Sequence, residues 1–146
     1  MPKLTLPATL ESLEPMFEFI RKATPATFSE QVSNIELVAE ELLVNVFSYA
    51  YPEGGGQAIV ELTPKSLEGR PMLAFVVHDW GKPFNPFEEV RDPDLSLDLE
   101  SRPVGGLGVF LIRNLTEKQL YSYENKCNTI EVLFAQKPKT VTAPEL

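Results

Sequence analysis

A long apolar segment from Ser29 to about Tyr49 constrains the fold more than any other part of this chain. Its apolar residues recur at steps of three and four, the spacing that places side chains on one face of an α-helix. They are Val32, Ile35, Val38, Leu42, Val46 and Tyr49, and Leu37, Leu43, Val44 and Phe47 widen the face. A helix this apolar has to be covered, so we predict that it packs against a sheet.

The segments before this helix predict a strand and a shorter helix. Residues 3–6 alternate polar and apolar side chains before Pro7, which indicates a short edge strand. Residues 10–23 carry apolar side chains at helical spacing, with acidic residues early and basic residues late, as the helix dipole favours. We predict that Pro15 lies in the first turns of this helix and that Ser29 caps the next one.

The second half of the chain predicts two hairpins, a long loop and a third helix. The expected strands are residues 58–62 and 72–78, joined around 68–71, and residues 118–124 and 129–136, joined around 125–128, with a helix at 109–115. Residues 85–104 are rich in Pro and Asp and too long for an ordinary connection, so they predict a lid. We expect one domain over residues 1–137 and a disordered tail at 138–146.

Size and charge limit the classes of function. With 146 residues and 43% hydrophobic content, the chain has the size of a single domain with one core. Its 13 basic and 21 acidic residues give a net charge of −8, which disfavours direct binding to nucleic acid or to an anionic membrane. Any phosphate must therefore be held locally, by backbone N–H groups, a helix N-terminus or a metal ion.

Two residue types occur only once, which excludes several kinds of site. A single cysteine, Cys127, can form neither an internal disulfide nor a cysteine metal site, and this fits a reducing cytoplasm. A single histidine, His78, makes a Ser-His-Asp triad improbable, and we interpret it as a strand histidine. We find neither a membrane-spanning apolar stretch nor a signal-peptide core, so the expected localisation is cytoplasmic.

Glu41 and Asn45 form a polar pair inside the apolar helix. Their spacing of four residues places a carboxylate and a carboxamide on one face, one turn apart. One interpretation is a solvated polar stripe. The other is a working pair, in which Asn45 gives an oxygen ligand to Mg²⁺ and Glu41 accepts a proton from an attacking hydroxyl.

Two further motifs have the chemistry of a nucleotide site. Asp79 ends an apolar strand two residues before Gly81, so its carboxylate could accept a hydrogen bond from an adenine amine, although an Asx turn is an equal alternative. Gly105, Gly106 and Gly108 precede a helix and could bring backbone N–H groups to phosphate oxygens. Their spacing matches neither the dinucleotide fingerprint nor a Walker A loop.

In order and spacing, these motifs resemble the N, G1 and G2 boxes of the gyrase, Hsp90, histidine-kinase and MutL ATPase superfamily. The matching residues are Glu41-x-x-x-Asn45, Asp79-x-Gly81-x-Pro83-Phe84 and Gly105-Gly106-Leu107-Gly108-Val109-Phe110-Leu111-Ile112. Within it, the chain is most similar to the bacterial anti-sigma factor serine kinases. The similar phrases are Ala39-Glu40-Glu41-Leu42-Leu43-Val44-Asn45-Val46, Tyr49-Ala50-Tyr51 and Gly108-Val109-Phe110-Leu111-Ile112-Arg113.

The resemblance implies a Bergerat fold, which is a two-layer α/β sandwich with a mixed, mostly antiparallel sheet and helices on one face. It implies ATP and Mg²⁺ as cofactors, Glu41 as general base and Asn45 as metal ligand. The nucleotide-binding residues that it implies are Asn45, Asp79, Gly81, Pro83, Gly105, Gly106, Leu107, Gly108, Val109 and Thr129. Among these, Asp79 would read the adenine amine, Gly81 would admit the base, and Thr129 would support Asp79 through water.

The resemblance also implies an activity and partners. Family members phosphorylate a serine of a small STAS-type antagonist protein, and those of the anti-sigma branch bind a sigma factor as homodimers. The alternative is a non-catalytic ATP-binding regulator that sequesters a sigma factor or another protein. Two departures from the family pattern are Tyr49, where His is frequent, and the absence of Gly at residues 125–128. A sensor histidine kinase is disfavoured, because no phosphoacceptor helix precedes the domain.

Overall fold

The computed structural model describes residues 2–89 and 106–139, which contain one five-stranded sheet. Its strands are β1 (Lys3–Pro7), β2 (Gln57–Leu67), β3 (Arg70–Asp79), β4 (Lys118–Glu124) and β5 (Cys127–Ala135). They lie in the order β1-β2-β3-β5-β4, and each neighbouring pair is antiparallel. The prediction that residues 3–6 form an edge strand is confirmed, and β3 lies at the centre.

The helices interrupt the order of the strands. Among the described residues they are α1 (Leu13–Ala23), α2 (Val32–Asn45), α3 (Pro86–Glu89) and α4 (Gly106–Leu115). Short 3₁₀ turns at Leu10–Ser12 and Ala26–Gln31 precede α1 and α2, and a π-helical turn at Val46–Ala50 follows α2 directly. The long apolar segment of the sequence is therefore α2 together with its π turn.

The core lies between the helices and one face of the sheet. Alternate residues of the central strands point toward α1, α2 and α4, as the period of a strand requires. The fully buried members with the largest side chains are Met16, Ile20, Ile35, Leu42, Leu43, Leu62, Leu73, Phe75, Ile112 and Phe134. This arrangement confirms the predicted two-layer α/β sandwich and explains why α2 is apolar over so much of its surface.

The opposite face of the sheet carries a smaller apolar cluster. Met72, Ala74, Val76 and Leu133 form it, and Leu67 and Ala135 pack against it. In the part of the chain that the structure describes, none of its members belongs to a helix. The helices within residues 2–89 and 106–139 thus cover one face of the sheet.

Both hairpins close with two-residue turns, which set the register of the sheet. Glu68 and Gly69 have φ angles of 51° and 78°, and Asn125 and Lys126 have φ angles of 52° and 62°. Positive φ at both positions matches the twist of paired strands. An asparagine tolerates this conformation better than most residues, so the second turn forms without the glycine that the family pattern contains.

Two predicted helix boundaries are wrong. The helix predicted at residues 109–115 begins at Gly106, so Gly106 and Gly108 lie inside α4 and do not precede it. Ser29 does not cap α2 but lies exposed within the 3₁₀ turn, and Gln31 stands before the first residue of α2. The backbone N–H of Val32 donates to the backbone carbonyl of Ser29. The preceding turn thus provides a backbone acceptor for the first N–H group of α2, and no side-chain hydrogen bond caps the helix.

Some predictions fall outside the described residues. Most of the predicted lid at residues 85–104 and most of the predicted tail at 138–146 lie outside the residues that the structure describes. The described part of the lid contains α3, where the backbone N–H of Phe87 donates to Asn85 Oδ1 at 2.9 Å. None of the described helices is long and apolar enough to cross a membrane.

Candidate functional site

Asp79, the last residue of β3, is a buried carboxylate with defined partners. Its side chain is 2% exposed, and its Oδ1 accepts hydrogen bonds from Asn128 Nδ2 and from the Gly81 backbone N–H, both at 2.9 Å. Burial raises the pKa of Asp79, and these two hydrogen bonds oppose that rise. The Asx turn that the sequence offered as an alternative is therefore present, and it places Gly81 next to Asp79.

Asn128, on the neighbouring strand β5, organises the surroundings of Asp79. The two residues are direct cross-strand partners, and Asn128 is 1% exposed. Its amide nitrogen also donates to the Lys82 carbonyl at 2.9 Å, and its oxygen accepts from the Phe84 backbone N–H at 3.1 Å and from the Tyr121 hydroxyl. One buried amide thus fixes both Asp79 and the loop that follows it.

Gly81 is packed against the end of the α2 segment. A Cβ atom at this position would lie 2.3 Å from the Ala50 carbonyl oxygen, and the Lys82 backbone N–H donates to that oxygen at 2.9 Å. Glycine is therefore required here for the close approach of two backbones. The prediction that Gly81 admits the base stays a prediction, since the packing already explains the residue.

The π-helical turn makes this contact possible. It follows Asn45 directly and delivers the Ala50 carbonyl to the loop after β3. Such turns are rare in proteins as a whole, and those that occur are often found at functional sites. Beside it, the Tyr49 and Phe84 rings are stacked, with centroids 4.5 Å apart and an interplanar angle of 15°. A backbone hydrogen bond and a ring contact therefore link the end of the helical segment that carries Asn45 to the loop that follows Asp79.

Glu41 faces the first turn of α4. A Cβ atom on Gly108 would lie 2.2 Å from Glu41 Oε2, so the carboxylate rests directly against this glycine. Glu41 is partly buried, which raises its pKa, and the neighbouring Glu40 raises it further. None of the described residues forms an ion pair with Glu41. A carboxylate at a helix N-terminus occupies the place that favours anions.

Asn45 lies one turn after Glu41 on α2 and is 8% exposed. No hydrogen bond within the described residues uses its side chain. Because every buried side-chain polar atom that the structure describes has a partner, the polar atoms of Asn45 must reach solvent. The carboxamide is therefore available to a ligand from outside the protein.

The structure does not bring Thr129 to Asp79, so its predicted supporting role is contradicted. Thr129 pairs with His78, and its hydroxyl lies 3.0 Å from His78 Nδ1 on the face away from the helices. The other ring nitrogen of His78 lies 3.1 Å from Glu61 Oε2, which confirms the strand-histidine interpretation. Adjacent residues of a strand point to opposite faces, so Asn128, not Thr129, shares a face with Asp79.

The remaining predicted site residues have less defined surroundings. Gly106 and Leu107 begin α4, and Gly105 lies outside the described residues. Val109 is fully buried, which leaves only its backbone for a ligand, whereas Pro83 is exposed.

Sequence reasoning overlooked Asn128. The sequence analysis assigned Asn128 to the turn at residues 125–128, whereas the structure places it in β5, so the depletion of asparagine in strands gave no signal beforehand.

These groups supply two chemical functions. Asp79 offers a buried hydrogen-bond acceptor, while the first turn of α4, against which Glu41 lies, offers a place for an anion. The described residues contain no group of three His, Cys, Asp or Glu side chains that could hold a metal ion. A metal at this site would therefore need oxygen ligands from a bound ligand and from water in addition to Asn45, as Mg²⁺ commonly does with phosphates.

Comparison with known proteins identifies the family. The family described as the histidine kinase-like ATPase domain matches residues 6–134. These residues include the end of β1, all of β2, β3 and β4 and all but the last residue of β5, together with the motifs around Asn45, Asp79 and Gly108. A search among curated proteins found no match. The matched residues span most of the chain, and an antiparallel sheet covered by helices on one face agrees with the fold implied by the motifs. The chain belongs to the histidine kinase-like ATPase domain family, whose members bind ATP.

Proposed function

We propose that this protein is an ATP-dependent serine protein kinase that acts on a STAS-type antagonist in a partner-switching pathway. The observation that carries the proposal is the position of Glu41, whose carboxylate rests against Gly108 at the first turn of α4. A base beside an anion-binding helix terminus has the placement that phosphoryl transfer to a hydroxyl requires. The motif resemblance to anti-sigma factor kinases supports the choice of substrate and of a sigma factor as a further partner.

Glu41 would act by accepting the proton of the attacking serine hydroxyl. Burial raises its pKa, which brings its proton affinity closer to that of a base working near neutral pH. It has no ion-pair partner among the described residues, so its charge is not already neutralised. The first turn of α4 would hold phosphate oxygens through its backbone N–H groups.

Asn45 would hold Mg²⁺ through its carboxamide oxygen. The residues fit this ion, since the polar atoms of Asn45 reach solvent and Mg²⁺ usually takes one or two protein ligands together with phosphate oxygens and water. When bound, the ion would neutralise negative charge on the phosphates. Asp79 would accept a hydrogen bond from the adenine amine and so select the nucleotide.

The proposal is tested by phosphoryl transfer with purified protein, γ-labelled ATP, Mg²⁺ and a candidate STAS protein. Label should appear on a serine of that protein and disappear when the serine is replaced by alanine. Glu41→Gln should retain ATP affinity, measured by calorimetry, while transfer falls roughly 10²–10⁴-fold, the usual contribution of a general base.

A matched control is available on the same helix. Glu40→Gln removes the same charge one residue earlier; because Glu40 contributes to the raised pKa of Glu41 only after burial, its loss should change transfer by no more than a few-fold. Equal transfer by Glu41→Gln and the native protein would refute the base assignment. ATP binding by the native protein without transfer to any cognate STAS protein would instead favour the non-catalytic regulator that sequesters its partner.

A further inference from the structure

β4 forms one edge of the sheet, and among the described residues its only strand partner is β5. Its seven residues, Lys118–Glu124, are charged at the two ends only, and Leu120 and Tyr123 are each 41% exposed. The other edge strand, β1, is shorter, and Pro7 within it has no N–H group to offer. Edge strands usually carry a proline or a central charge, because an unprotected edge pairs with further strands. β4 therefore has the properties of a strand that accepts another strand.

The hairpin turn determines which backbone groups of β4 face outward. The turn has two residues, so Glu124 and Cys127, which flank it, form the first pair that exchanges backbone hydrogen bonds. Pairs that exchange hydrogen bonds and pairs that do not alternate along an antiparallel ladder. Even-numbered residues of β4 therefore direct their N–H and C=O groups toward β5, whereas Gln119, Tyr121 and Tyr123 direct theirs toward the open edge.

This alternation and the two charges select one register for a second copy of the strand. In an antiparallel pair, an outward-facing residue must lie opposite another outward-facing residue. A two-fold axis at Tyr121 meets this condition, and it places Gln119 opposite Tyr123 of the second copy and Lys118 opposite Glu124 of the second copy. A shift by two residues in either direction keeps the alternation but shortens the ladder and separates the charges. Only the register centred on Tyr121 pairs the whole strand.

Lys118 and Glu124 have no counter-charge in their own chain. Both side chains are exposed, and neither forms an ion pair with another described residue. They share the sheet face of Leu133, which is the face away from the helices. Opposite charges that face each other across two strands stabilise the pair, and like charges destabilise it. The register centred on Tyr121 gives each of these charges an opposite charge.

We propose that β4 is an interface at which two copies of this chain pair antiparallel about a two-fold axis at Tyr121, so that their two sheets become one continuous sheet. The surface and its register follow from β4 itself and not from the family resemblance. The inference goes beyond the proposed function, because neither nucleotide binding nor phosphoryl transfer is needed for the two strands to pair.

The test measures the oligomeric state by sedimentation velocity over a range of protein concentrations without nucleotide. The native protein should show an equilibrium between monomer and dimer. Lys118→Glu replaces both attractive pairs of the dimer with pairs of like charge, which should weaken dimerisation roughly 10-fold or more. Glu124→Lys should have the same effect through two pairs of positive charges.

Combining the two substitutions provides the sharpest evidence. A mixture of the Lys118→Glu and Glu124→Lys proteins should form heterodimers, because the reversed charges then face each other and the native charges face each other. The double variant should dimerise about as well as the native protein for the same reason. Lys22→Glu is the matched control, since it makes the same change of charge at an exposed position of α1 and should leave dimerisation nearly unchanged.

A second pair of variants tests the backbone. Tyr123→Pro removes an N–H group that faces the open edge, where proline is tolerated, so the hairpin should remain folded while dimerisation is lost. Tyr123→Val removes the same ring but keeps the N–H group and should retain the dimer. Melting temperatures show whether each variant is folded, and the charge variants decide the matter if Tyr123→Pro is not.

Four results would overturn the inference. They are a native protein that remains monomeric at every concentration, a dimer that is insensitive to charge reversal at Lys118 and Glu124, a dimer that Lys22→Glu weakens equally, and a mixture of the single variants without heterodimers. A monomer that instead binds an extended peptide of another protein along β4 would overturn the second copy as the occupant of this edge.

Discussion

Two glycines make a matched pair for testing how closely the site is packed. Alanine at Gly81 would place its Cβ atom 2.3 Å from the Ala50 carbonyl oxygen, and alanine at Gly108 would place its Cβ atom 2.2 Å from Glu41 Oε2. The substitution is thus the same, and the two distances of approach are nearly equal. The obstacles differ, because one is backbone held by a helical turn and the other is the free end of a side chain.

The expected cost at Gly81 follows from that obstacle. The loop and the π turn must separate by roughly 1 Å to reach an ordinary non-bonded distance. Such overpacking costs about 1–3 kcal/mol, and loss of the Lys82 to Ala50 hydrogen bond adds about 1 kcal/mol. The free energy of unfolding should therefore fall by about 2–4 kcal/mol, which lowers the melting temperature by roughly 10 °C in a domain of this size.

Gly108→Ala should behave differently. The Glu41 side chain can rotate away, and alanine is a better helix former than glycine by up to about 1 kcal/mol. The melting temperature should therefore stay within roughly 3 °C of the native value. Phosphoryl transfer should nevertheless fall, since the carboxylate has moved from its place beside the first turn of α4.

Thermal unfolding by circular dichroism without nucleotide measures both variants, and urea unfolding shows whether the m-value is unchanged. Similar losses of stability in the two variants would refute the distinction between backbone and side-chain obstacles. A native melting temperature for Gly81→Ala would refute the close approach of the loop to Ala50.

Three further perturbations test other parts of the site. Burial raises the pKa of Asp79 above its ordinary value of 3.8, so the folded protein binds this proton more tightly than the unfolded chain does. The free energy of unfolding therefore falls as the pH rises through the raised pKa and the carboxylate becomes charged. Asp79→Asn should therefore melt at an equal or higher temperature at neutral pH, lose this advantage below about pH 3.8 and no longer show a melting shift with Mg-ATP. Asn45→Ala should weaken ATP binding in Mg²⁺ but not in a chelator, as calorimetry would show; equal losses in both would contradict the ligand role. Tyr51→Phe removes the hydroxyl that accepts from the Trp80 backbone N–H at 2.7 Å and donates to the Gln57 carbonyl at 2.8 Å. This loss should cost about 1–2 kcal/mol in urea unfolding, and an unchanged midpoint would count against these bonds.

Periodicity predicted the elements of the fold because burial imposes it. The spacing of apolar residues located α1, α2 and the central strands, since a helix or strand with one covered face repeats its apolar positions. It did not predict the 3₁₀ turn before α2. The Val32 to Ser29 backbone hydrogen bond arises from local geometry, and Ser29 is a suitable cap in sequence even though its side chain does not cap the helix.

The residue that contacts Asp79 shows a second limit of prediction from sequence. From the sequence, Thr129 and Asn128 are neighbours near the start of the last strand, and only Thr129 carries the hydroxyl that the family resemblance implies there. The two-residue turn at Asn125 and Lys126 sets the pairing of β4 with β5, while pairing with β3 places Asn128 opposite Asp79. A change of register by one residue would have moved every side chain to the other face, so pairing of distant strands decided the matter.

The amino-acid sequence by itself determined the apolar helix, the alternating strands and the order of the three motifs, because these depend on spacing along the chain. It placed Glu41 and Asn45 one turn apart for the same reason. Only the tertiary structure decided which groups meet: Glu41 with Gly108, Gly81 with Ala50, and Asp79 with Asn128. Each contact joins residues far apart in sequence, so it depends on strand register and on the packing of α2 against α4 and β3, which no local pattern specifies.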